Sequence, residues 1–263
     1  MFILVKYNYN NFDTLSKLSK SFNYIPVALY TLTLSKNKEE NKNEIQKLKI
    51  LVNSTNQEYS ALQITLHAMD NTTQGIINQL KQEFDIIIGI GGLNKVNRFF
   101  LEQTQIDFLQ DPHNSQFKVK FDFIHHFNSG LNHILCKFAQ EKKIGLIYSL
   151  NFMQKKGIII LKDIGRISQN TQFSNKYSIP IYANFIIEKE KDILSLNQLE
   201  SIQKQLKLTT KQIRNSQNIL EKKIKYNQKK KTKEFISDGL EKINWYLKFI
   251  IILESLLKYN QLL

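Results

Sequence analysis

The run Phe84-Asp85-Ile86-Ile87-Ile88-Gly89-Ile90 limits what this chain can fold into more than any other stretch. A strand with one wet face alternates apolar and polar residues. This one does not alternate, so both its faces must be covered, as in parallel sheets. Parallel neighbours need a crossover of a dozen or more residues, usually a helix. The chain on either side reads as that alternation. Strands are expected at residues 2–7, 25–34, 61–66, 84–90, 106–109, 144–148 and 180–187. Between them, apolar residues return at helical spacing, as in Phe12, Leu15, Leu18 and Phe22, or in Ile76, Ile77 and Leu80. Asn11 or Asp13, the segment 70–73 and Ser195 supply helix caps. Residues 44–52 and 158–176 read as helices, and 35–43 as a polar surface loop. Seven strands, most followed by a helix, predict an α/β fold with a parallel sheet, open or closed into a barrel.

Length allows one large domain with or without a small appendage. The apolar fraction of 42% is enough for a buried core. The formal charge is +14, and lysine carries nearly all of it, because arginine occurs only at Arg98, Arg166 and Arg214. Such an excess favours a polyanionic partner. It is densest in the segment 221–233, with Lys222, Lys223, Lys225, Lys229, Lys230, Lys231 and Lys233. That segment reads as a solvated helix end or a phosphate-contacting arm. Residues 243–257 read as an amphipathic helix. They carry Asn244, Lys248 and Glu254 and fall short of the roughly 18 residues that span a bilayer. No membrane segment and no signal peptide are expected, so the chain is read as cytoplasmic. Cys136 is the single cysteine, which excludes an internal disulfide; it reads as a small core residue.

The motifs for small-molecule chemistry are broken. Gly89-Ile90-Gly91-Gly92-Leu93-Asn94 places Asn94 where a dinucleotide fingerprint has its third glycine. The glycines still permit a tight strand-to-helix turn. Lys95 and Arg98 in the next helical turn oppose the helix dipole, which suits an anion bound there. His125-His126 are adjacent, so on a strand they would point apart. His67, His113 and His133 have no partner at metal-ligand spacing, so no metal site is expected in the protein. Asn128 or Ser129 can cap a helix starting at Ser129-Gly130-Leu131-Asn132-His133. Its core stripe would be Leu131, Ile134, Leu135, Phe138 and Ala139, with Asn132, His133 and Lys137 on the rim.

Three pieces carry a family resemblance: Gly92 with Asn97-Arg98 and Glu102; Asp122-Phe123-Ile124-His125 with Asn128-Ser129-Gly130-Leu131-Asn132 and Cys136-Lys137; and Ile164-Gly165-Arg166 with Gln169-Asn170, Lys176-Tyr177 and Pro180. Together they resemble the archaeal ribonuclease P protein component 3 family, the thirty-kilodalton subunit. The resemblance implies a distorted (β/α) TIM-type barrel related to the polymerase-and-histidinol-phosphatase fold, with C-terminal helices. The barrel would take residues 1–220 and a basic, amphipathic extension 221–263. It implies a protein subunit of ribonuclease P, which removes the 5′ leader of precursor tRNA. Catalysis would rest with the ribonuclease P RNA and the Mg²⁺ that the RNA binds. Component 2 and other subunits would be partners. Lys95, Arg98, Asn132, His133, Lys137 and Arg166 are the candidate RNA- or partner-binding residues. Gly91, Gly92, Asn97, Ser129 and Gly130 are expected to hold backbone geometry.

The related phosphoesterases carry a histidine pair on the first strand, where this chain has Tyr7 and Tyr9. Family members often have arginine before the Asn-Ser-Gly step, where this chain has Phe127. The alternatives are a metal-dependent phosphoesterase with relocated ligands and a generic RNA-binding scaffold.

Overall fold

The computed structural model describes residues 1–8, 11–55, 57–114, 122, 127–154, 158–232, 235–237 and 240–241. Seven parallel strands form one sheet in chain order: β1 (Phe2–Lys6), β2 (Ile25–Leu34), β3 (Ser60–Leu66), β4 (Ile86–Ile90), β5 (Phe108–Gln110), β6 (Gly145–Ser149) and β7 (Ile181–Asn184). The crossovers carry α1 (Phe12–Ser21), α2 (Lys38–Ser54), α3 (Asn71–Leu80), α4 (Asn94–Gln103), α5 (His133–Glu141) and α6 (Ile158–Lys176). After β7 come α7 (Leu196–Gln205) and α8 (Thr210–Lys231). The sheet closes on itself just beyond β7. The Lys6 N–H donates to the Ile187 carbonyl at 2.9 Å, and the Ile187 N–H to that of Leu4 at 3.0 Å. Val5 and Ile187 thereby form a parallel bridge, and the fold is a nearly closed, seven-stranded TIM-like barrel.

Closure explains the unbroken apolar run of β4. Ile86 and Ile88 pack in the barrel interior with Phe2, Leu4, Leu29 and Phe108. Ile87 faces the other way, into the shell between strands and helices with Ile3, Tyr30 and Leu109. Both faces of β4 are therefore dry from Ile86 to Gly89. Ile219, Leu220 and Ile224 of α8 join the interior cluster, so α8 stops the barrel at the N-terminal end of its strands. The polar fastening there is Asp107, 1% exposed, just ahead of β5. It accepts from Lys81 Nζ at 3.0 Å and from the Ile87 N–H at 2.9 Å, and Lys223 Nζ lies 3.6 Å away. Lys223 also donates to the Lys143 carbonyl ahead of β6, at 2.9 Å.

Some elements differ from the sequence expectation. The segment 35–43, read as a loop, already contains the first turn of α2. Asn37 caps it by accepting from the Glu39 and Glu40 N–H groups, and those two carboxylates suit the positive end of the helix. Helix α5 starts at His133, not at Ser129; its cap is Asn132, which accepts from the Leu135 N–H at 2.9 Å. Ile134, expected on the core stripe, is 62% exposed, while Cys136 is fully buried. Burial pushes the Cys136 thiol up to about 12, which leaves it an inert packing group. Asn11 occupies the N-cap position of α1 without a side-chain bond. Asp70 and Ser195 cap α3 and α7 as expected. His125, His126 and the segment 243–257 lie outside the described residues.

The chain divides into compact units of residues 1–224 and 225–263. In the second, β8 (Phe235–Ser237) pairs antiparallel with β9 (Leu240–Glu241), and Lys230 lies over the Tyr226 ring at 4.5 Å.

Replacing Asp107 with alanine leaves the Lys81 ammonium and the Ile87 N–H without their buried acceptor. We expect unfolding in urea to show a loss of about 3 kcal/mol with an unchanged denaturant slope.

Candidate functional site

The motif-bearing residues converge on Asn97, whose side chain is completely buried on the inner face of α4. Its Oδ1 accepts from the Gly92 N–H at 2.8 Å. Its Nδ2 donates to the carbonyls of Gly130 at 2.8 Å and Pro112 at 3.0 Å. One amide thus holds the turn after β4, the loop after β5 and the entry to α5. Gly91 sits so close that an added Cβ would lie 2.7 Å from Asn97 Oδ1. Gly92 and Gly130 adopt φ of 151° and 80°, and the latter lies in the region that glycine enters without steric cost.

Helix α6 grips the same loop from the other side, using residues three or four apart. Asn170 Nδ2 donates to the Ser129 carbonyl at 3.0 Å. Gln169 Oε1 accepts from the Phe127 N–H at 3.1 Å. Arg166 holds Asp122 with two parallel bonds, Nε to Oδ1 at 2.9 Å and a terminal nitrogen to Oδ2 at 3.0 Å. One turn beyond Gln169 stands Phe173, against whose ring His133 packs edge-on at 5.1 Å. A further turn on, the Tyr177 hydroxyl meets His133 Nδ1 at 2.9 Å. Desolvation opposes ionisation of Asp122. The Arg166 guanidinium and the Asn128 N–H outweigh it, so the carboxyl sits below its ordinary range.

A cavity of about 460 Å³ opens over this loop. Asn94 of α4, Asn132 and His133 at the start of α5, Phe127, and Gln169 and Phe173 of α6 line it. Of the six candidate binding residues, Asn132 and His133 are in its wall. Arg98 and Lys137 are exposed and lie one helical turn from the lining residues Asn94 and His133. Arg98 is also paired with Glu102 at 2.5 Å on its own helix. Lys95 is exposed on the first turn of α4. Arg166 is placed differently from the expectation. It is 7% exposed, and its charge is engaged by Asp122, with Asp163 at 3.8 Å, so it fastens the loop from within. Sequence reading passed over Phe127, Gln169, Phe173 and Asn94 as site residues. The 3–4 spacing of Arg166, Gln169, Asn170, Phe173 and Tyr177 was a readable stripe, but mostly polar stripes usually signify a wet face.

The C-terminal mouth of the barrel, where TIM-barrel enzymes place their chemistry, holds a polar cavity of about 210 Å³. Its amides are tied to one another. Gln63 Nε2 donates to Gln110 Oε1 at 2.7 Å, and Gln110 Nε2 to Asp111 Oδ2 at 3.1 Å. Asp111 Oδ1 accepts from the Ser149 N–H at 3.0 Å. Lys6 and Glu188 pair across it at 2.9 Å. Among the described residues, no group of three or more His, Cys, Asp or Glu side chains could hold a metal ion. No helix among them is long and apolar enough to cross a membrane.

Two outcomes follow from the loop geometry. Asn97→Ala strands one buried N–H and two carbonyls and lowers stability by about 3 kcal/mol in equilibrium denaturation. Asp122 has a depressed folded-state pKa, so its clamp stabilises the fold above the ordinary carboxylate range near pH 4. That stability is lost as pH falls through the lower folded value. Asp122→Asn removes this contribution and flattens the acid limb of a stability-versus-pH curve.

No protein-family profile matches the chain. It is 27% identical over 108 residues to ribonuclease P protein component 3 of Methanosarcina mazei, covering 41% of each chain. It is 22% identical over 175 residues to the protein of that name from Methanosarcina barkeri, covering 65% of this chain and 64% of that one. The chain thus spans between two fifths and two thirds of the length of these relatives. Its fold matches a chain in the cryo-EM structure of archaeal ribonuclease P with mature tRNA, with a TM-score of 0.68 at 15% identity. That match covers 92% of this chain and 97% of the other. By sequence this chain resembles archaeal ribonuclease P protein component 3, the family its motifs pointed to, and its fold is like that of a chain in an archaeal ribonuclease P structure.

Proposed function

We propose that this chain is a protein subunit of ribonuclease P, supporting RNA-catalysed removal of the 5′ leader from precursor tRNA. The observation that carries the reading is a coincidence of two kinds of likeness. The sequence is similar to ribonuclease P protein component 3, and the barrel matches a chain of an archaeal ribonuclease P structure over 92% of its length. Fold alone does not fix function. Here, though, Gly92, Asn97, Ser129, Gly130, Arg166, Gln169 and Asn170, among the residues that carry the resemblance, build the locked loop between α4, α5 and α6.

The chemistry of the site supports a binding role. Among the described residues, the barrel mouth offers amides, the Asp111 carboxylate bound to the Ser149 N–H, and a Lys6–Glu188 pair. The net charge of +14 suits an RNA partner. The ribonuclease P RNA supplies the reacting groups and binds the Mg²⁺. The protein braces the RNA fold together with component 2 and the remaining subunits. Lys95, Arg98 and Lys137 contact phosphate or a partner subunit, and the lysines do so as point charges. Work in the cytoplasm fits this role.

Reconstitution tests the proposal directly. Adding the protein to ribonuclease P RNA and the other subunits should raise cleavage of precursor tRNA. Affinity for the RNA should fall steeply and linearly on a log–log salt plot. Phosphoester hydrolysis by the isolated protein, or affinity that stays flat across the salt series, would overturn it.

A further inference from the structure

The cavity above the locked loop has a composition that charge alone does not require. Phe127 is 40% exposed, yet its backbone and its ring both have partners in α6. Its N–H is bonded to Gln169. Its ring rests against Gly165 so closely that a Cβ there would lie 2.6 Å from the ring carbon Cζ. A glycine that admits an aromatic ring, and a glutamine that fixes its backbone, together keep one solvent-facing ring in a set position. Phe173 and His133 stand across the same cavity, already in edge-to-face contact with each other.

The polar groups around these rings are mostly uncharged amides. Gln169 Oε1 is taken by Phe127, so its Nε2 remains the donor that can address a ligand. Asn94 and Asn132 add amides from two other helices. The Ser129 hydroxyl, in the cavity lining and 1% exposed, has no hydrogen-bond partner among the described residues. Aromatic faces beside amide donors and acceptors suit a planar heterocycle with hydrogen-bonding edges. A phosphate would want arginine or lysine in the wall, and the described lining has neither; Arg98 and Lys137 stand one helical turn from it. A volume of about 460 Å³ is in the range of small-ligand sites and has room for an unstacked base.

We propose that this cavity receives an unpaired nucleobase of the partner RNA, stacked on Phe127 and read at its edge by Gln169 and Asn132, while Arg98 and Lys137 hold the flanking phosphates. Single-stranded RNA is recognised in this way, by aromatic stacking within a cationic frame. The proposal rests on the RNA-binding reading above and adds the site and the form of RNA it takes.

The test uses the full chain and short single-stranded oligoribonucleotides carrying one 2-aminopurine. A second set carries an abasic site at the same position, and a duplex RNA serves as control. Phe127→Leu keeps the apolar volume and removes the stacking face; a thermal melt verifies its fold. We expect 2-aminopurine fluorescence to be quenched on binding by the unsubstituted protein. Phe127→Leu or the abasic site should each weaken single-strand binding about tenfold, the loss of one stacked base. The two together should do no more than either alone. The salt slope and the duplex affinity should stay the same, since no charge has changed. If Phe127→Leu binds the oligonucleotides as tightly as the unsubstituted protein, with the salt dependence intact, this inference is overturned and the ribonuclease P reading survives. Unchanged RNA binding with lost association to a protein subunit also overturns it, in favour of a protein-docking pocket. Absence of salt-dependent binding to any RNA sinks the broader reading along with it.

Discussion

The described part of the molecule depends on one buried amide. Asn97 replaces the hydrogen bonds that water would otherwise give to three separate loops, after β4, after β5 and before α5. Those backbone groups are out of reach of the sheet and of any helix. Left unpaired inside the protein, each would cost on the order of 1–3 kcal/mol. Asparagine suits the place because it offers an acceptor and two donors on a short side chain. Aspartate would lack the donors, and a hydrophobic residue would lack both. The second buried asparagine, Asn170, completes the arrangement from α6, and Arg166 ties in Asp122 through a paired charge.

The candidate site lies beside this lock and not at the barrel mouth. The N-terminal end of the barrel is stopped by Ile219, Leu220 and Ile224 of α8 and fastened through Asp107 and Lys223. The C-terminal mouth is narrow, and its polar groups satisfy one another. The larger opening lies to the side, between α4, α5 and α6, where the locked loop presents Phe127 and the helix starts present Asn94 and Asn132. A net charge of +14 favours a polyanionic partner without selecting its sequence, and the cavity adds fixed aromatic and amide groups.

The alternation of strands and helices could be read from periodicity because each signal is local. An apolar run such as Ile86 to Ile90 declares two covered faces wherever it is placed. Helix starts proved less legible. At Asn37 a capping side chain inside a polar stretch marked a helix that composition suggested was a loop. At Ser129 the capping chemistry was present but unused, because the Ser129 and Gly130 carbonyls were already claimed by Asn170 and Asn97. The role of Arg166 was illegible for a related reason. An arginine among polar residues looks solvent-facing until the fold brings Asp122 to it across 44 positions of sequence.

Sequence by itself determined the class of fold, the number of barrel strands and the cationic character. All of these follow from residue type and short-range spacing. Tertiary structure alone decided that the sheet closes through Ile187, that Arg166 lies inside while Arg98 and Lys137 remain outside, and that Phe127, His133 and Phe173 share one cavity. These depend on contacts between segments far apart in the chain. Such contacts are set by the barrel's closure geometry and by which buried polar groups find partners, and a local pattern carries neither.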